Sequence, residues 1–280
     1  MPGYRSILVH LDASPHGAER LDLARRLALE HDTSALIGLL ALEPREAPAP
    51  LSVDIAPPIP PKVFEVDPEH RRRARTIFDD AMRSGGPPMT WAEATDPQPE
   101  RGVAKASRCA DLTVLGQRDP DDAFSTDVPG DLVESVAMDS GKPVLVVPFT
   151  DRFPHIPRNV LVAWKNTREC ARTVEAALPL MRRAEDVRLV SWGEEPIPPY
   201  DEEPLGIVAY LRRHGIEAIA HRYAGEPLDV GEALLAHAAE HARDLLVMGC
   251  YGHHRVRELL LGGATRTVLR SMTLPVLMSH

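Results

Sequence analysis

Apolar residues along this chain fall into short, nearly unbroken runs that alternate with one-sided helical spacings. Residues 7–11 form the first run, the pattern of a strand buried on both faces of a sheet. Ser14-Pro15 then reads as an N-cap and a first-turn proline, opening a helix to about residue 31. Further strands are predicted near 35–42, 89–92, 112–115 and 144–147, with helices near 67–84, 98–109 and 130–138. A second series follows, with strands near 160–164, 187–191, 217–221, 245–248 and 276–278. Its helices are predicted from a Thr167 cap to about 183, and near 204–214, 226–242 and 263–270. In the first of these, Ala171, Val174, Ala177, Leu178 and Met181 share one face. Alternating strands and helices predict an α/β fold with a doubly wound parallel sheet in each half. Such sheets bind ligands at the carboxyl ends of their strands, where the strand order reverses.

The two series are copies of one another. Arg5-Ser-Ile-Leu-Val-His-Leu-Asp12-Ala-Ser14 parallels Arg158-Asn-Val-Leu-Val-Ala-Trp-Lys165-Asn-Thr167, an offset of 158 − 5 = 153. Asp111-Leu-Thr-Val-Leu-Gly116 parallels Asp244-Leu-Leu-Val-Met-Gly249, an offset of 244 − 111 = 133. Pro143-Val-Leu-Val-Val147 parallels Pro275-Val-Leu-Met278, an offset of 275 − 143 = 132. Three strands recurring in order with matching flanks mark an internal repeat. The offset falls because the first half carries extra residues between Pro44 and Pro68, a stretch with eight of the 27 prolines. Proline fixes φ and lacks a backbone donor, so this stretch reads as a surface loop. The second half has a shorter counterpart at 196–204. Pro154 and Pro157 bracket a short polar linker, giving expected domains at 1–150 and 157–280.

Composition narrows the function without naming it. The 280 residues are 44% hydrophobic and 26% charged, with net charge −9, which is globular and disfavours nucleic acid as the main partner. Arg71-Arg72-Arg73 with Arg75 has acidic neighbours and reads as a solvated helix face. Three cysteines far apart imply no disulfide framework, and neither a leader nor an apolar run of membrane-spanning length is evident, so a cytoplasmic protein is expected.

The chemistry concentrates near the C-terminus. Met248-Gly249-Cys-Tyr-Gly252 closes a predicted strand, and Gly262-Gly263-Ala264-Thr265 opens a predicted helix, giving G-x2-G-x9-G. Gly249 and Gly252 let the backbone turn and approach a ligand closely. Gly262 and Gly263 leave amides free at a helix start, where the dipole favours an anion, and Thr265 adds a hydroxyl. The plain alternative is that these glycines only make turns. The strand before and the helix after favour a phosphate nest.

With these motifs the chain resembles the universal stress protein family, whose members commonly carry G-x2-G-x9-G-(Ser/Thr). The likeness covers both halves and is strongest over 244–280. It implies two tandem domains joined as an internal pseudo-dimer, with the final strands 144–147 and 276–278 pairing. It also implies ATP or another adenine nucleotide as ligand, accompanied by Mg, a stress-response role, and a further homodimer. By that likeness Gly249, Gly252, Gly262, Gly263, Ala264 and Thr265 would hold phosphate and ribose. Met248 and His253 would flank them, and the backbone near Val190 would meet adenine. Two departures stand out. Gly263 occupies a position where the family often has Ser or Thr, and Lys165 stands where ATP-binding members have an Asp beside the nucleoside. Lysine cannot accept a hydrogen bond from ribose or adenine, but it attracts phosphate. The first half shows the reverse: Asp12 is present and Gly116 opens the loop, but Asp119 replaces the second glycine. Asp119, Asp121 and Asp122 would repel phosphate, so this is read as a pseudo-site.

Other motifs are weaker. His237-Ala-Ala-Glu240-His241 matches H-x-x-E-H, yet it lies on a repeat helix, and no further ligand motif follows. Cys250, His253 and His254 read as pocket lining, and Trp164 as a core residue. No G-x-S-x-G elbow or G-x4-G-K-(S/T) loop occurs. A binding protein without catalytic or metal residues is expected, with a non-nucleotide interaction module of the same fold as the alternative.

Overall fold

The computed structural model describes residues 3–46, 64–150, 152–193, 204–225, 227–250 and 263–280. The first half runs β1 (Ser6–Leu11), α1 (Gly17–Glu30), β2 (Ala35–Leu40), β3 (Arg45–Glu46), β4 (Phe64–Glu65), α2 (Pro68–Arg83), β5 (Met89–Glu93), α3 (Pro99–Ser107), β6 (Leu112–Gly116), α4 (Leu132–Asp139) and β7 (Val144–Val147). The second runs β8 (Asn159–Ala163), α5 (Arg168–Met181), β9 (Asp186–Gly193), α6 (Ile207–Arg213), β10 (Ile219–Ala224), α7 (Val230–Glu240), β11 (Leu245–Gly249), α8 (Ala264–Ser271) and β12 (Val276–Ser279).

Ten of these strands form one sheet in the order β10-β9-β8-β11-β12-β7-β6-β1-β2-β5. Neighbours within each half are parallel. The halves meet antiparallel through β12 and β7, with Val276 opposite Val146, Leu277 opposite Leu145 and Met278 opposite Val144. The expected pairing of the last strands is therefore present. It follows from their composition: these six are fully or almost fully buried apolar residues, on strands that neither half alone would cover.

Helices cover both faces. On one, α1 supplies Leu21, Ala24 and Leu27, and α5 supplies Val174, Ala177 and Leu178, to a single core crossing the joint. On the other, Val136 of α4, Leu234 of α7 and Val268 of α8 pack with β7 and β12. Burying each such side chain stabilises the fold by roughly 1.5–3 kcal/mol.

The element boundaries depart from the sequence reading at identifiable places. The helix cap expected at Ser14 moves to His16, because Ser14 and Pro15 form a turn in which the Gly17 N–H donates to the Ser14 carbonyl at 3.2 Å. α7 begins at Val230 because Asp229 caps it, accepting from the Glu232 N–H at 3.0 Å. Thr167 caps α5 as expected, accepting from the Cys170 N–H at 3.4 Å. The stems of the proline-rich stretch form the short antiparallel ladder β3–β4, which the sequence pattern does not announce. Residues 47–63 and 194–203 lie outside the described residues.

Candidate functional site at the strand-order reversals

In each half the chain runs from its first strand to one side and returns on the other. The reversals fall between β1 and β6 and between β8 and β11. The residues at their carboxyl ends are Asp12 and Gly116 in the first half, and Lys165 and Gly249 in the second.

The first crevice is filled from within. Arg20 on α1 is 2% exposed, and its Nη2 lies 2.9 Å from Asp12 Oδ2. Its guanidinium lies over Gly116, where an added Cβ would fall 1.8 Å from Nη1. The Ser14 N–H donates to Asp12 Oδ1 at 3.0 Å, and His10 Nδ1 stands 3.9 Å from Oδ2. Burial alone would raise the Asp12 carboxyl; the Arg20 and His10 charges and these hydrogen bonds outweigh it and hold the pKa down. Asp12 and Gly116 are thus brought together, but around a side chain of the protein itself.

Beside the acidic residues expected to close this crevice stands a group that the sequence reading did not name. Asp119 faces His16 at 3.4 Å, and the Asp122 carboxylate accepts from the Phe124 N–H at 3.0 Å, while Asp121 is exposed. These carboxylates hold their own loop, and the group occupying the crevice is a cation. Sequence spacing does not single out Arg20. Its one signal is a charged residue on the apolar stripe that Leu21, Ala24 and Leu27 continue.

The second crevice is built differently. Gly249 ends β11 against the start of α5, and an added Cβ would meet Cys170 N at 2.7 Å and the Glu169 carbonyl carbon at 2.9 Å. Only glycine permits that approach. Cys250 is fully buried, and its N–H donates to the Ser279 carbonyl at 3.1 Å. Gly263 then caps α8 in an extended conformation, without a side-chain hydrogen bond and without an acidic residue in the first turn. The Gly263 carbonyl accepts from Arg266 and Thr267, while the Ala264 and Thr265 N–H groups have no acceptor among the described residues. Thr265 is itself buried. Lys165 is exposed at the carboxyl end of β8. Gly252, His253 and Gly262 lie outside the described residues.

Two residues of the expected set stand elsewhere in the fold. Met248 is a core residue in the ladder between Ala163 and Met278. Val190 is fully buried, and its carbonyl accepts from the Trp164 N–H at 2.8 Å, so it is spent inside the sheet. The open end of β9 lies beyond it, where Trp192 stacks on Tyr223 with ring centroids 6.0 Å apart. Trp164 packs against the core.

Three contacts that spacing could not reveal orient α8. Gly231 lets α7 approach so closely that a Cβ would meet Thr267 Cβ at 2.7 Å and the Ala264 carbonyl at 2.8 Å. The Thr267 hydroxyl donates to Asp229 Oδ2 at 2.8 Å, tying α8 to the cap of α7. From the other half, Gln117 Nε2 donates to the Leu269 carbonyl near the end of α8 at 2.9 Å. The pair His237 and His241, with centroids 4.3 Å apart, gathers no third ligand, and no cluster of three metal-binding side chains occurs among the described residues.

Residues 157–280 match the universal stress protein family. A universal stress protein of Synechocystis sp. is 29% identical over 176 residues, which are 60% of this chain and 57% of that protein. Among solved structures, a universal stress protein from Archaeoglobus fulgidus superposes with a TM-score of 0.65 at 18% identity, covering 98% of this chain and 95% of that one. A Pseudomonas aeruginosa structure assigned to the same family gives 0.63 at 17% identity, covering 99% and 93%. At such identities the likeness shows the fold of both halves.

Proposed function

Because residues 157–280 match the universal stress protein family, we propose that this chain binds one adenine nucleotide, in its second half. It acts as a nucleotide-responsive stress protein rather than an enzyme. The carrying observation is the strand–glycine–helix unit at the second reversal. Gly249 lets the end of β11 lie against the start of α5, and α8 begins with amides that have no acceptor among the described residues and with no acidic residue in its own first turn. Such a helix start favours a phosphate. Thr265 lies in the same turn, and Lys165 adds a cation at the adjoining strand end. ATP would place its phosphates at Gly263, Ala264 and Thr265, with Mg offsetting charge on the phosphates. The base would lie toward the open end of β9.

Under this reading residues 1–150 form a partner domain. Arg20 takes the place a nucleoside would need, and Asp12 is committed to it. A second reading, a protein-interaction module that binds no nucleotide, draws on Lys165 standing where the family's ATP binders have an acid.

Isothermal titration of ATP with Mg into the intact protein separates the two, using Gly263→Asp as control. Aspartate is a favourable N-cap, so the variant keeps or strengthens α8 while placing a carboxylate where the phosphate would bind. Saturable binding in the wild type that is lost in Gly263→Asp is expected. Absence of binding at millimolar ATP in the wild type would establish the second reading.

A further inference from the structure

Away from both reversals, an open cleft of about 700 Å³ lies where the halves meet on the α1–α5 face. Its lining is Arg26, Leu29 and Glu30 from the last turns of α1, Ile156 and Arg158 from the linker and the start of β8, and Arg183 just beyond α5. Three guanidiniums thus face one carboxylate. Glu30 is taken by Arg158, whose Nη1 and Nη2 lie 2.8 and 2.9 Å from its two oxygens. Arg183 Nε is 3.6 Å from the same carboxylate. Among the described residues Arg26 pairs with Asp22 at 2.9 Å, while its Nε and Nη1 are shielded from water and have no acceptor. A guanidinium offers five donors in a planar fork matched to oxyanions.

Helix C-termini attract cations, and that accounts for part of the cluster: Arg158 Nη1 donates to the Arg183 carbonyl at 2.9 Å. It does not account for a third guanidinium, Arg26, on the cleft wall, nor for Leu29, which stands 59% exposed beside it. The positive field is also felt nearby. His31, 3% exposed and with Nε2 unaccepted, is pushed from 6.5 down to about 4 by burial and by Arg183 and Arg158, against the opposing charges of Glu30 and Asp32.

We propose that this cleft is a second ligand site, taking the oxyanion group of a small molecule with an apolar flank. The oxyanion sits between Arg26 and Arg183, and the flank lies on Leu29 and Ile156. Phosphate and carboxylate share the recognising chemistry. A ligand there touches both halves at once, so its binding would fasten the linker to α1.

The test follows the His31 ring by NMR in the intact protein, with inorganic pyrophosphate in one arm and octanoate in the other. At pH 7, where both probes are anions, at least one arm is expected to shift the His31 ring resonances saturably, and which arm does so identifies the class. Arg26→Gln and Arg183→Gln, checked for unchanged melting, should each weaken that binding about tenfold, the scale of one charge-assisted hydrogen bond. The response should persist in Gly263→Asp, which separates it from the nucleotide reading. No saturable change in either arm overturns the proposal, as does a response lost in Gly263→Asp or undiminished in both arginine variants.

Discussion

At the scale of single residues, the first half turns on Arg20 and Asp12. Each is buried, and each is tolerable only because of the other. Arg20→Ala leaves a carboxylate uncompensated inside the fold. It is expected to cost about 3–5 kcal/mol in urea unfolding, the usual scale for breaking a buried pair. Much of that loss should be recovered by Asp12→Asn in the same chain. A single-variant loss below about 1 kcal/mol would show that the pair is not committed as described. His31 makes a pH prediction. Its folded pKa of about 4 lies below the ordinary 6.5, so between those values the unfolded chain takes up a proton that the folded chain refuses. Stability therefore falls as pH drops from 6.5 towards 4. His31→Gln should flatten that part of the pH–stability curve, and an unchanged slope would contradict the assignment.

At the scale of elements, the sequence pattern locates strands well because they are apolar on both faces, and runs such as 144–147 are short, rich in valine and bounded by Pro143 and Pro148. Helix starts are less legible where capping depends on the turn before them, as at Ser14, Pro15 and His16. The glycines of the second reversal can be read from their spacing. What aims α8 cannot, since Gly231, Asp229 and Gln117 act through partners 33 to 152 residues distant that follow no period. Arg20 is hidden for the same reason: its partner Asp12 belongs to another element. The Asp229 cap tests this arrangement. Asp229→Ala removes both the α7 cap and the Thr267 tie. It should cost about 1–2 kcal/mol by chemical unfolding, and it should weaken ATP binding because α8 loses its anchor. Full retention of ATP affinity in a destabilised variant would show that α8 is aimed by something else.

At the scale of the molecule, two five-stranded sheets become one because β7 and β12 are apolar edges that cover each other. The repeat in the sequence foretells two similar halves, and the family resemblance implies the joint through their final strands. Their unequal endowment follows from side chains: Arg20 fills the first crevice, while at the second Gly249 lets β11 close on the start of α5. Expressed alone, residues 157–280 would expose β12 as a free apolar edge. That fragment is expected to sediment as a dimer through β12 pairing, and a stable monomer would contradict the weight placed on the joint.

The central claim is one nucleotide site per chain, in the second half. Equilibrium dialysis of labelled ATP against the intact protein, carried to saturation, tests it most directly. The account predicts one ATP bound per chain, and none in Gly263→Asp. Two bound per chain, with the second retained in Arg26→Gln and Arg183→Gln, would mean that Arg20 yields its place to ligand, and none bound would mean that the glycine unit is scaffold; either result contradicts the account.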